Sequence, residues 1–257
     1  MIKFFRKIRQ NLLIKNKTGK YFKYAIGEIV LVVIGILIAL SINNWNEGRK
    51  LENDKKKLMH ALKQEFSTNK VALENHLSGL NKHNSRLNKV INFSASAIEL
   101  PIDSLRLYSS NLDFPLTLSL LNSVQEGTIS SGKFEMLSDS LKHTINLLRD
   151  FTISRKEISD KLRDLTTISN SIDTDLVLSL SAYPDIPEVY YVQKPTSMHP
   201  DFIKNDDELV NLIKSSKTYS KLYQIYYFNT LDELWIKYGL LRLTNETIIL
   251  IEKELKK

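Results

Sequence analysis

The feature that most constrains this chain is a long apolar run near its N-terminus. Residues 25–42 read AIGEIVLVVIGILIALSI, with one glutamate and one serine as the only polar side chains. At about 1.5 Å per residue, these 18 residues span about 27 Å as a helix, close to the roughly 30 Å hydrocarbon core of a bilayer. Tyr24 before the run and Trp45 after it match interfacial aromatic belts. We therefore predict a transmembrane helix over residues 24–45.

The positive charge of the chain is concentrated before this run. Residues 1–23 hold eight Lys and Arg and no Asp or Glu, and Glu28 is the next charged residue. Since the whole chain has 36 basic and 29 acidic residues, the part from residue 46 onward is formally neutral. The positive-inside rule then predicts a basic cytoplasmic tail over residues 1–23 and an extracytoplasmic domain over residues 46–257. In a bacterium, this places the domain in the periplasm and the span in the inner membrane.

Two residues inside the span invite a functional interpretation. Glu28 is an ionisable group in an apolar segment, where it either pairs helices or simply reaches interfacial water. Gly35 begins one small-xxx-small step, a spacing compatible with close helix packing. We take Tyr24, Glu28, Gly35 and Trp45 as candidate membrane-anchoring residues. The alternative is a cleaved signal peptide, although this segment is longer than a typical signal sequence.

The N-terminal residues also resemble a known group of proteins. MIKFFRKIRQ and KYAIGEIVLVVIGILIALSINNWNE resemble the N-terminal signature of uncharacterised single-span membrane proteins of flavobacteria and their relatives, and SSGKFEMLSDSL is similar to a second, weaker block. The resemblance is strong over residues 1–47 and otherwise lies in the helical layout. It implies a bacterial inner-membrane location and a helical outer domain. It implies no activity.

Beyond the span, apolar residues recur every three or four positions in three long segments. These segments cover residues 51–98, 137–176 and 206–255, and the prolines lie between them. Residues 127–132 are predicted to be a loop. The predicted fold is all-α, with a single N-terminal transmembrane helix that continues into an antiparallel extracytoplasmic helical bundle.

No motif predicts a cofactor, a metal ion or a nucleotide. GTISSGKF at residues 127–134 follows the phosphate-loop pattern GxxxxGK, but Phe134 replaces the hydroxyl that would hold Mg²⁺. His76 and His83 share a helix face about 10 Å apart, too far for one metal ion. The neutral outer domain also lacks the positive charge that nucleic acid requires. We expect no nucleic acid, no nucleotide and no cofactor.

Catalytic residues cannot be assigned from the sequence. An enzyme whose site is assembled from distant residues remains the alternative hypothesis, with Asp139 and His143 as a pair of side chains one helical turn apart. It would require a third ligand or base beside them. The leading hypothesis is a non-enzymatic membrane protein whose outer domain binds a partner protein or senses a ligand.

Aromatic residues mark the candidate interaction surfaces. Tyr223, Tyr227 and Trp235 belong to the densest aromatic cluster of the chain, where Tyr and Trp either form an interface or pack in the core. Tyr190 and Tyr191 lie in a proline-rich crossover, and irregular segments on rigid bundles often carry recognition. The expected partners are membrane lipid and either a protein partner or a second copy of the chain.

Overall fold

The computed structural model describes residues 18–109, 112, 116–166 and 205–256. Within these residues the chain forms helices and no strand, which confirms the all-α prediction. The predicted crossover with Tyr190 and Tyr191 lies outside them, as do the first 17 residues. The elements in chain order are α1 (Thr18–Ser94), α2 (Ile102–Ser109), α3 (Ser123–Ser130), a 3₁₀ helix (Lys133–Met136), α4 (Asp139–Thr166), α5 (Asp206–Lys214), α6 (Ser216–Leu234), a π-helix (Trp235–Leu241) and α7 (Arg242–Leu255).

The chain divides into two compact units, Met1–Leu58 and Met59–Lys257. No described side chain of the first unit is buried, and the apolar window of α1 that is long enough to cross a membrane has none of its residues covered by protein. An exposed apolar surface of this length is unfavourable in water. The helix is therefore compatible with a membrane anchor.

The second unit is a bundle in which α1 runs antiparallel to the C-terminal helices. As the residue number rises along α1, the residue number of its contact partner in α5 to α7 falls. The two stretches of chain therefore run in opposite directions. The contacts are Lys63 with Glu252 at 2.7 Å, His76 with Asp232 at 3.1 Å, and Ser94 with the carbonyl of Ile213 at 2.6 Å.

Helix α4 is antiparallel to the same C-terminal helices. Ser138, just before α4, bonds Glu254, whereas Arg155 further along bonds Asp232 at 2.7 Å. Helices α1 and α4 therefore run in the same direction. The segment between them, with α2 and α3, returns the chain to the start of the bundle.

The core of the second unit follows the predicted stripe of α1. Its buried positions alternate in steps of three and four, the spacing that lets one helix face pack continuously against its neighbours. The sequence analysis extends this stripe to Ile98, which is wrong. The stripe ends with α1, and Ile98 lies beyond it on the surface. The buried positions of the stripe are Met59, Leu62, Phe66, Asn69, Leu73, His76, Leu80, Asn84, Leu87, Ile91 and Ser94, and Glu65, Val90 and Phe93 beside the stripe are also buried.

Helix α1 ends because Ser96 adopts a left-handed conformation with a φ of 55°. The N–H of Ser96 bonds the carbonyl of Phe93, and the N–H of Ala97 bonds the carbonyl of Asn92, both at 2.9 Å. These two bonds form a Schellman motif, which satisfies carbonyl groups that the helix end leaves unpaired. The helix therefore stops before Ile98.

Three helices of the second unit begin at capping side chains, and one loop prediction is wrong. The side chains of Ser138, Asn205 and Ser215 each accept a hydrogen bond from a backbone N–H three residues later, as N-caps do. Gly127, expected to open a loop, lies inside α3. The turn begins only at Gly132, whose φ of 72° is left-handed.

A seven-residue π-helix, Trp235–Leu241, joins α6 to α7, and we call these three contiguous elements the C-terminal helix. The π-helix was not predicted. Gly239 lies within it and faces the ring of Phe151 in α4. An added Cβ at Gly239 would lie 2.5 Å from that ring, so only glycine allows this close approach.

Replacement of this glycine tests the packing. Gly239→Ala forces the Phe151 ring to move, and we expect the free energy of unfolding to fall by about 1–3 kcal/mol. Gly127→Ala is the matched control, because its Cβ would meet nothing within 4 Å and alanine favours helix, so stability should rise by up to about 1 kcal/mol. Urea unfolding of the full chain in detergent measures both. Equal effects would contradict the packing of Phe151 on Gly239.

Candidate functional site

The outward face of the C-terminal helix carries a row of large apolar side chains. Tyr223, Tyr227, Leu234 and Tyr238, here called the outer stripe, are 51%, 52%, 47% and 60% exposed. Each lies two positions from a fully buried residue of the same helix, on the opposite side of its axis. The outer stripe therefore points away from the bundle core.

One positive charge borders this face, because the ammonium of Lys237 lies 5.1 Å from the ring centroid of Tyr238. Ser216 and Ser220 continue it toward the N-terminus, and Thr230 and Leu231 fill its centre. Surface helices usually place charged side chains opposite the core. Fully desolvated interface centres, by contrast, are poor in charge and rich in tyrosine. Away from Lys237, the face is poor in charge and rich in tyrosine, a composition that it shares with such centres.

Neighbouring rings restrict two of the tyrosines. The ring of Tyr219 stacks on that of Tyr223 with centroids 6.2 Å apart, and Phe228 meets Tyr227 edge-on at 5.5 Å. Side chains that are already ordered lose less conformational entropy when a partner covers them. The outer stripe is thus partly preorganised for contact.

Trp235, grouped with Tyr223 and Tyr227 in the sequence analysis, has a different environment. Its indole Nε1–H donates to the carbonyl of Phe151 at 3.0 Å, and the two rings lie 5.2 Å apart. The side chain is only partly exposed. Trp235 therefore packs the C-terminal helix against α4.

Three charged or titratable side chains meet inside the bundle, one from each long helix. Arg155 donates from Nε and Nη2 to the two carboxylate oxygens of Asp232, at 2.7 and 2.8 Å. The Nε2 atom of His76 lies 3.1 Å from Oδ2 of Asp232 and 3.3 Å from Nη2 of Arg155. An ionised carboxylate only accepts, so His76 donates to it. We call these three residues the buried charge cluster.

Burial and pairing act in opposite directions on Asp232, which is 1% exposed. Burial works to raise the pKa of its carboxyl, but the hydrogen bonds and positive charge of His76 and Arg155 outweigh it and hold the pKa below its ordinary value of 3.8. The carboxylate is fully occupied by its two partners. The cluster therefore joins the three long helices through contacts that Asp232 makes with both partners.

The residues considered for metal binding or catalysis do not converge. Within the described residues, no group of three or more His, Asp or Glu side chains could hold a metal ion. Asp139 pairs at 3.1 Å with Lys142 on the surface, and His143 is exposed beside it. The third group that the enzyme hypothesis requires is not found near them in the described part of the chain.

A cleft of about 180 Å³ lies between α1, α3 and α4. Its wall is held by α1: Asn69 exchanges two hydrogen bonds of 2.7 Å with the backbone of Leu121. Glu65 accepts from the backbone N–H groups of Val124 and Gln125 at 2.7 and 3.2 Å, which caps the start of α3. The polar side chains that shape the cleft are therefore engaged within the protein.

The four candidate anchoring residues all lie in α1. Only the helical backbone is described for Tyr24, while Glu28 is partly exposed. Gly35 has no atom within 4 Å of an added Cβ, and Trp45 is 67% exposed, with the guanidinium carbon of Arg49 5.9 Å from its ring centroid. The positions of Gly35 and Trp45 are thus open to a membrane environment or to another helix.

Comparison with known proteins gives a family and no activity. The profile of a family of unknown function, DUF6090, matches residues 28–171, more than half of the chain. The chain belongs to this family. The DUF6090 match includes His76 and Arg155, whereas Asp232 and the outer stripe lie beyond it. No curated protein and no solved structure matches the chain.

The buried charge cluster makes a clear prediction about stability. Asp232→Ala leaves Arg155 buried without its carboxylate, and we expect a loss of about 3–5 kcal/mol in the free energy of unfolding. The double variant Arg155→Met, Asp232→Leu removes both charges and should lose much less. Denaturant unfolding of the three proteins measures the difference. A double variant as unstable as Asp232→Ala would contradict the pairing.

The lowered pKa of Asp232 also predicts an acid sensitivity. A carboxyl with a lowered folded-state pKa stabilises the fold above its ordinary value of 3.8, and this contribution disappears as the pH falls through the folded-state pKa. Between about pH 5 and pH 2, the native chain should therefore lose more stability than Asp232→Asn. Asp139→Asn, at an exposed site, is the control and should follow the native curve. If the stability of the native chain, Asp232→Asn and Asp139→Asn changed with pH in the same way, the lowered pKa of Asp232 would be refuted.

Proposed function

We propose that this DUF6090 protein is a non-enzymatic, single-pass membrane protein whose extracytoplasmic helical domain binds a partner protein. Residues 24–45 cross the bacterial inner membrane, the tail before them is cytoplasmic, and the domain after them is periplasmic. The observation that carries the docking role is the outer stripe.

The anchor is supported by two independent features. The apolar window of α1 is not covered by the rest of the chain, so a bilayer is the environment that satisfies it. The eight positive charges before it give the orientation. The resemblance of residues 1–47 to flavobacterial single-span proteins agrees with this arrangement.

The docking role is supported by the chemistry of the outer stripe. Exposed tyrosines and a leucine in a row on one helix face would cost free energy in water, and a partner that covers them removes this cost. The cleft near Asn69 supports ligand sensing less strongly. It is small, and the polar groups that shape it are already bonded within the protein.

The orientation can be tested with fusions at the two sides of the span. A reporter that is active only outside the cytoplasm should work after Lys257 and fail when fused after residue 23 without the span. A reporter that is active only in the cytoplasm should show the reverse pattern. Cytoplasmic activity of the fusion after Lys257 would refute the topology.

The docking role can be tested with a photoreactive amino acid at position 227 of the full chain in its native membranes. Irradiation should give discrete crosslinked bands, because Tyr227 lies within the outer stripe. The matched control is position 153 on α4, where Ile153 is also exposed, at 68%, but lies outside the stripe. Crosslinks of equal yield at both positions, or none at 227, would argue against this surface.

A further inference from the structure

The cleft between α1, α3 and α4 is shaped before any ligand enters. Asn69 and Glu65 of α1 hold its wall through hydrogen bonds with the backbone from Leu121 to Gln125. A pocket that is already formed costs little rearrangement when a molecule binds. Leu121 and Ile153 line the cleft and are exposed, so it opens to solvent. The cleft can therefore take up a molecule from solution.

The volume and the lining of the cleft limit what fits. Its volume is about 180 Å³, and an apolar cavity of about 150 Å³ accepts benzene. The lining is largely apolar and includes the buried side chains of Phe66 and Leu148. A side chain of the size of valine or leucine would cover these residues from water, which is favourable in proportion to the apolar area removed. The cleft therefore suits a small aliphatic group.

Two opposite charges line the cleft where it meets solvent. Nη2 of Arg149 donates to Oε1 of Glu126 at 3.3 Å, and both side chains are exposed. An exposed ion pair contributes little stability, so a ligand can replace either partner at little cost. The guanidinium fork of Arg149 fits a carboxylate, and the carboxylate of Glu126 accepts from an ammonium group. The mouth of the cleft thus offers one group for each charge.

A buried amide adds a third polar group. Gln125 lines the cleft and is buried. Its Nε2 donates to Oε1 of Glu65 at 2.9 Å, whereas its own amide oxygen accepts no hydrogen bond from the residues that the structure describes. Polar groups of buried side chains are normally paired, so this oxygen is placed to accept from a bound molecule.

The two charges at the mouth discriminate between small ligands. A plain carboxylic acid would bring its negative charge beside Glu126, and a plain amine would bring its positive charge beside Arg149. Like charges this close oppose binding. An α-amino acid carries a carboxylate and an ammonium group on one carbon atom, so it pairs with both residues and adds no net charge. Its ammonium group has three donors, enough for Glu126 and the amide oxygen of Gln125.

We propose that the cleft binds a free amino acid with an aliphatic side chain. The carboxylate of the ligand pairs with Arg149, its ammonium group pairs with Glu126 and Gln125, and its side chain packs on Phe66 and Leu148. The site is separate from the outer stripe, so this proposal goes beyond the docking role and does not depend on it.

The probes for this site are L-leucine and L-valine, titrated calorimetrically into the purified full chain in detergent. Saturable binding of one molecule per chain is expected. Three control compounds each lack one part of the ligand: isocaproate lacks the ammonium group, isoamylamine lacks the carboxylate, and glycine lacks the side chain. Each should bind at least tenfold more weakly than leucine. Failure of both amino acids to bind up to millimolar concentration, or equal binding of a control compound, would overturn the proposal.

Substitutions at the mouth of the cleft test the assigned contacts. Arg149→Gln and Glu126→Gln each remove one charge from an exposed side chain, and each should weaken leucine binding at least tenfold with unchanged circular dichroism. The matched control is Arg163→Gln, which removes an arginine from another exposed ion pair of α4, with Asp160 at 3.0 Å. It should bind leucine as the native chain does. Native affinity in either Arg149→Gln or Glu126→Gln would contradict the proposal.

A further variant tests the cleft itself. Leu121→Trp leaves both charges in place but puts a larger ring at an exposed lining position, so it should weaken leucine binding at least tenfold. Undiminished binding by this variant would place the ligand elsewhere and refute the site. Tyr223→Glu, in the outer stripe, should bind leucine normally, so a failure of the docking role and a failure of this proposal give different results.

Discussion

The pairing of Arg155 with Asp232, completed by His76, is the constraint on which the arrangement of the three long helices depends. Apolar stripes with steps of three and four look almost the same after a shift of seven residues, so packing alone specifies register weakly. A buried arginine and aspartate allow no such shift, because each would be left without its partner in the core. When Arg155 is paired with Asp232, Phe151 lies opposite Gly239 and Ser138 lies opposite Glu254. The cluster thus aligns the helix that presents the outer stripe.

Much of the helical layout could be predicted from the sequence, because it depends on local information. The apolar periodicity, the prolines and the capping residues Ser138, Asn205 and Ser215 act within a few residues of each other. The buried charge cluster could not be predicted in the same way, since His76 and Asp232 lie 156 residues apart. A signal did exist. His76, Arg155 and Asp232 each occupy a position where an apolar stripe expects a hydrophobic residue, and a polar residue at such a position requires a buried partner. The close packing of Gly239, in the π-helix, on Phe151 joins residues far apart in the sequence, and no local pattern reveals it.

The chain exposes two apolar faces of different chemistry. Over residues 25–42, the side chains of α1 other than Glu28 and Ser41 carry no polar atom, and most are Ile, Val and Leu, which suit hydrocarbon. The outer stripe is dominated by tyrosines, whose hydroxyl groups need hydrogen-bond partners when they are covered. A lipid interior supplies no such partners, whereas a protein surface does. This contrast supports the proposal that the first face meets the membrane and the second a protein.

The capping of α3 by Glu65 has a consequence for how the chain folds. Eight residues form too short a helix to be stable alone, and the acceptor for the first N–H groups of α3 comes from a side chain 59 residues earlier. Closure of so long a loop is slow compared with helix growth. Helix α3 therefore forms after α1, and on a growing polypeptide the wall of the cleft is completed only when the anchor helix and the first stretch of the bundle are already in place.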